Sequence, residues 1–61
     1  MRVRFIFYTR DKQYTSDVIE NASEYASIIK QLSKQQSLIC YKEGCYINSS
    51  FVERFEIINE G

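Results

Sequence analysis

The chain has 61 residues, with eight basic and eight acidic side chains and a formal net charge of zero. Two Cys and the absence of His, Pro and Trp remove the usual zinc patterns and argue against a disulfide scaffold. The basic excess of a duplex-binding protein is missing, and a chain this short buries only about 60% of its unfolded surface, so self-association is the leading route to added stability.

Residues 3–9 are β-branched and aromatic and predict a strand. Arg10, Asp11, Lys12 and Gln13 form a polar break, and residues 14–19 predict a second strand. A two-residue hairpin loop at Asp11-Lys12 sets Thr9 opposite Tyr14, Phe7 opposite Ser16 and Phe5 opposite Val18. Val3, Phe5, Phe7, Tyr14 and Val18 then share one face. Arg4, Ile6, Tyr8, Thr15, Asp17 and Ile19 share the other.

Residues 21–36 predict a helix and organise the rest of the chain. Asn21 suits the cap, and Glu24 is placed to reach back to the Asn21 N–H in a capping box. Ala22, Tyr25, Ala26, Ile29 and Leu32, with Ile28 beside them, make one apolar stripe. Glu24 near the start and Lys30 and Lys34 near the end complement the helix dipole.

Residues 37–43 predict a third strand, Glu43-Gly44 a tight turn, and Cys45, Tyr46 and Ile47 the start of the return strand. Setting Tyr41 opposite Tyr46 and Cys40 opposite Ile47 points Leu38, Cys40 and Ile47 one way. Ile39, Tyr41 and Tyr46 then point the other way. Asn48, Ser49 and Ser50 form a break. Residues 51–59 fit either a helix or a strand, and their Val, Phe and Ile content favours the strand.

The expected fold is a single α+β domain over residues 1–61. It is an antiparallel sheet of four to five strands in the order β-β-α-β-β, with one helix across one face. The helix stripe would pack on Phe5, Phe7, Val18, Leu38, Cys40, Ile47 and Phe55.

Catalytic chemistry finds little support. Cys40 and Cys45 read first as free thiols behaving as small apolar residues, with a redox pair or an intersubunit metal site as alternatives. No His is available to activate Cys40, Cys45, Ser49 or Ser50. Gly44 and Gly61 cannot form a phosphate-cradling loop. The expectation is a non-enzymatic protein with no cofactor and no metal.

The five tyrosines are more informative. In these registers Tyr8, Tyr41 and Tyr46 lie with Ile6, Ile19 and Ile39 on the sheet face away from the helix. An apolar, tyrosine-bearing face suits an interface. Ile6, Tyr8, Ile39, Tyr41 and Tyr46 are therefore the expected partner-binding residues, for a homodimer or higher oligomer or for another protein. A C-terminal segment folded back over the face is the structural alternative.

The charge is also uneven. Arg2, Arg4, Arg10 and Lys12 face only Asp11 at one end, and Glu53, Glu56 and Glu60 outnumber Arg54 at the other. Ordinary cross-strand pairs explain this. Arg2, Arg4 and Arg10 beside Tyr8 are the alternative, a platform for single-stranded nucleic acid.

The run Tyr46-Ile47-Asn48-Ser49-Ser50-Phe51-Val52-Glu53-Arg54-Phe55-Glu56-Ile57-Ile58 resembles a pattern in short uncharacterised proteins of Gram-positive bacteria, their phages and mobile elements. The resemblance implies an α+β fold in which Ile47, Val52, Phe55 and Ile57 are structural. It also implies a protein that inhibits or redirects a host protein by binding it, and it transfers no catalytic residue. Arg2-Val3-Arg4 and a short apolar run after Met1 do not make a signal peptide or a membrane span. The chain reads as a complete small cytoplasmic protein with no membrane contact.

Overall fold

Each strand of this chain is short, so its place is decided by which face it buries. The computed structural model describes residues 1–61. The chain runs β1 (Val3–Tyr8), β2 (Gln13–Thr15), α1 (Ala22–Leu32), β3 (Leu38–Lys42), β4 (Cys45–Asn48), a 3-10 turn (Ser49–Phe51) and β5 (Arg54–Asn59). This is the expected α+β class, and residues 51–59 supply a fifth strand after one tight turn. The strands form a three-stranded antiparallel sheet, ordered β2-β1-β5, and a separate β3-β4 ribbon instead of one continuous sheet.

β1 is the centre. Its odd positions, Phe5 and Phe7, are fully buried, and both of its edges are paired. The first hairpin turns at Arg10-Asp11, where Thr9 N–H donates to Lys12 C=O at 2.9 Å. Phe7 consequently faces Tyr14, not Ser16. This corrects the expected register by two residues, and a two-residue shift leaves the side chains of β1 and β2 on their expected faces.

The hairpin then departs from regular pairing. Ser16 is fully buried. Its Oγ accepts from Phe5 N–H at 2.9 Å and donates to Asp17 C=O at 2.8 Å. Asp17 N–H leaves the sheet and donates to Tyr41 C=O at 2.9 Å, tying β3 to the first hairpin. Pairing resumes with Val3 against Ile19. The irregularity turns Ile19 into the core and leaves Val18 half-buried, reversing the expected assignment of these two residues.

The β3-β4 ribbon shows a one-residue correction. Lys42 faces Cys45 across Glu43-Gly44 as expected, but a bulge between Cys40 and Lys42 shifts the rest. Ile39 faces Ile47 and Cys40 faces Tyr46. This one-residue slip exchanges the faces of β3 and leaves Tyr46 and Ile47 of β4 as expected. Ile39 and Ile47 are buried, whereas Leu38, Cys40 and Tyr46 are exposed. Gly44 has φ +76°, a left-handed conformation that suits glycine at the second turn position.

In α1, Asn21 Oδ1 accepts from Ser23 N–H at 2.8 Å and from Glu24 N–H at 3.3 Å. This is half of the expected capping box. The helix ends at Leu32, short of Gln36, and Ser33 Oγ donates to Lys30 C=O at 2.7 Å to close the last turn. Ile28 is its buried residue, flanked by Tyr25, Ile29 and Leu32, while Ala22 and Ala26 face outward. Ser49 staples the far side. Its Oγ accepts from Ser37 N–H at 3.0 Å and donates to Lys34 C=O at 2.9 Å.

The core between the sheet, ribbon and helix is Phe5, Phe7, Ile19, Ile28, Ile39 and Ile47. Burying each contributes about 1.5–3 kcal/mol. Leu38 and Cys40, expected in this core, are replaced by Ile39 and Tyr41.

Candidate interaction surface

The five residues expected to form one tyrosine-bearing face are divided among three places. Ile39 is fully buried in the core and cannot serve as a surface anchor. Tyr41 lies on the same inner side, half-buried, with its ring edge-on to Phe7 at 6.4 Å and to Tyr14 at 5.8 Å. Desolvation, with smaller effects from Cys45 and Tyr14, raises the Tyr41 phenol above its ordinary value of 10.0. Tyr46 is 61% exposed, on the outside of the ribbon opposite Cys40. Ile6 and Tyr8 alone share the outer face of β1, facing Glu56 and Arg54 of β5. Ile19, placed on that outer face by the expected register, belongs to the core instead.

Tyr8 is held in place and is not a free stacking platform. Its hydroxyl donates to Glu56 Oε1 at 2.5 Å, and the Arg54 guanidinium carbon lies 3.8 Å from its ring centroid. The hydrogen bond to Glu56 is the main cause of a raised Tyr8 pKa, with desolvation and the Glu56 charge adding to it and Arg54 opposing it.

Two of the three arginines of the expected basic patch are tied to carboxylates. Arg2 Nη1 pairs with Glu20 at 2.7 Å. Arg4 pairs with Glu60 through Nε at 3.0 Å and donates from Nη1 to Ser16 C=O at 3.0 Å. Arg10 sits at the tip of the first hairpin. It borders a shallow groove of about 480 Å³ between that tip and the 3-10 turn, with Lys12, Tyr14, Phe51 and Glu53. The groove mixes both charge signs with aromatic rings.

A different feature stands out on β5. The strand is six residues long, and every one of them is exposed. Only one of its edges is paired, because β5 ends the three-stranded sheet. Glu60 N–H donates to Arg2 C=O at 2.7 Å. Stepping by two along the register makes Arg4–Ile58 and Ile6–Glu56 the hydrogen-bonded pairs of this ladder. Phe55, Ile57 and Asn59 consequently turn their N–H and C=O groups toward the open edge. The opposite edge of β1 agrees with this phase, since Phe5 C=O accepts from Ser16 N–H and Val3 exchanges both bonds with Ile19.

The side chains on this strand suit pairing as well. Phe55 and Ile57 lie on the inner face, each 40% exposed, and Ile58 on the outer face is 39% exposed. Phe55 keeps a core contact, its ring 6.2 Å from Phe5. Natural sheets commonly protect such an edge with proline, a bulge or a covering element. Here the interspersed charges of Arg54, Glu56 and Glu60 are the protection.

The residues of this edge were expected only as structural positions. The sequence does show a strand with apolar residues at Phe55, Ile57 and Ile58 framed by charge. Its place at the end of the sheet depends on β5 pairing with β1 across almost the whole chain. No helix is long and apolar enough to cross a membrane. No family profile, curated protein or solved structure matches the chain.

Proposed function

We propose that this chain is a non-enzymatic protein-binding module that recognises an extended segment of another polypeptide by adding it as a strand beside β5. The observation that carries the reading is the open edge of β5, where the N–H and C=O groups of Phe55, Ile57 and Asn59 alternate with nothing paired to them. Strand addition draws affinity from such main-chain groups and specificity from the flanking side chains. Phe55 and Ile57 on one face and Ile58 on the other supply the apolar contacts. The resemblance of residues 46–58 to short phage and mobile-element proteins extends the reading. A captured host segment in the cytoplasm would be inhibited or redirected.

Selection of a random decapeptide display library against the full chain tests this. Bound peptides are expected to protect the amides of Phe55, Ile57 and Asn59 from exchange. Ile57→Pro removes an N–H that faces only solvent, a position where an edge strand tolerates proline, and is expected to abolish their binding. Tyr46→Ala is expected to leave it intact. Peptides that instead protect the ribbon, or a short oligonucleotide that binds at low salt through Arg2, Arg4 and Arg10, would overturn the reading.

A further inference from the structure

Resting on that strand-addition reading, we infer that β5 pairs with β5 of a second copy of this chain. The two copies are antiparallel about a two-fold axis at Ile57, joining two three-stranded sheets into one of six strands. The occupant is singled out by hydrogen-bond phase and charge together.

Only registers that place odd residues opposite odd residues bring the open N–H and C=O groups face to face. With the axis at Ile57, Ile57 of each copy donates to and accepts from its counterpart, and Phe55 exchanges both bonds with the other copy's Asn59. The even positions then oppose each other without backbone bonds. Arg54 lies across from the other copy's Glu60 at both ends of the new ladder, and Glu56 lies across from Ile58. Opposite charges directly across a strand pair are favourable, and like charges are unfavourable.

The neighbouring phase-compatible alternatives are worse. Shifting the axis to Glu56 sets the two Glu56 carboxylates against each other, and shifting it to Ile58 sets Glu56 against Glu60. Centring it on Phe55 or Asn59 leaves much of the strand overhanging. The Ile57-centred register uses the full strand, Arg54–Asn59. It also covers the inner-face Phe55 and Ile57, each 40% exposed in the single chain. The contact is isologous, so it closes as a dimer and does not propagate. Because the same groups are used, self-pairing and capture of a foreign strand exclude one another.

Sedimentation equilibrium on the full chain, with two charge-reversal variants, tests the register. In an Arg54→Glu homodimer two carboxylates oppose each other at both ends of the ladder, and in a Glu60→Arg homodimer two guanidinium groups do. Each variant is expected to weaken self-association by about tenfold. An equimolar mixture of the two restores opposite charges at both ends and is expected to recover wild-type association. A folding defect would not be rescued by mixing. In the wild type, protection of the Phe55, Ile57 and Asn59 amides is expected to rise with protein concentration. A chain that stays monomeric at millimolar concentration, variants that do not complement, or a dimer whose three amides exchange freely would each overturn the inference. A monomer whose same amides become protected by selected decapeptides would overturn this inference alone and leave strand capture standing.

Discussion

β1 and β5 are neighbours in one sheet, equal in length and each carrying apolar residues on its inner face, yet they occupy opposite situations. β1 is paired on both edges, and Phe5 and Phe7 are fully buried. β5 is paired on one edge, and all six of its residues are exposed. Apolar residues therefore act as core in one strand and as unpaired surface in the next. The difference comes from topology. The ribbon and helix are taken up with covering Phe5 and Phe7, and no other strand pairs with the outer edge of β5.

The sharpest way to break this contrast is to remove a β1 ring. Phe7→Ala should cost about 3–5 kcal/mol. A chain of this size holds only several kcal/mol in total, so chemical denaturation and amide spectra are expected to show a largely unfolded protein. Retention of a cooperative transition near wild type would mean that the core does not depend on β1. Ser16→Ala comes next. It strips Phe5 N–H of its acceptor in a fully buried site and should cost about 1–3 kcal/mol, read as a lower urea midpoint with an unchanged slope.

On the β5 side the order of effects reverses. Ile57→Ala removes a side chain already 40% exposed and should cost about 1 kcal/mol or less in stability, while weakening strand pairing. A stability loss as large as that of Phe7→Ala would place Ile57 in the core after all. The smallest effect is alkaline. Tyr8 and Tyr41 both have raised pKa values in the fold, so the folded state holds these phenolic protons more tightly than the unfolded chain does. Their contribution is fully present below pH 10.0 and is lost as pH rises through the raised values. Tyr8→Phe should flatten that decline between neutral and strongly alkaline pH in thermal melts.

The two hairpins show how much of the fold was legible in the sequence. Placing the first turn one residue late at Asp11-Lys12 moved the register by two without changing the faces, since Phe5, Phe7 and Tyr14 kept their shared side. The second turn lies at Glu43-Gly44 as expected, yet the bulge before Lys42 exchanged the faces of β3, while Tyr46 and Ile47 of β4 kept theirs. Leu38 and Cys40 and, alternatively, Ile39 and Tyr41 both make apolar alternations, so hydropathy could not reveal the bulge. The expected tyrosine face depended on that register and dissolved with it. The helix, its Asn21 cap and the first four strands were readable because they rest on local signals, while residues 51–59 fitted either a helix or the strand they form. The open edge was not, because it depends on which strand ends the sheet.

The pairing of β1 with β5 also sets the order in which the chain can fold. Among the strands, β1 leaves the ribosome first and β5 last, and Arg2 meets Glu60 only when nearly everything between them has been made. Until then the nascent chain can form its first hairpin and its helix, but the Val-Arg-Phe-Ile-Phe-Tyr segment lacks its second neighbour. Contacts of such wide sequence separation slow folding and prolong exposure of strand edges. Joining the adjacent ends and reopening the chain at the exposed Gln35-Gln36 link between α1 and β3 would turn the slowest contact into a local one while leaving both hairpins intact. Such a permutant should refold faster than the natural order without any change in its core.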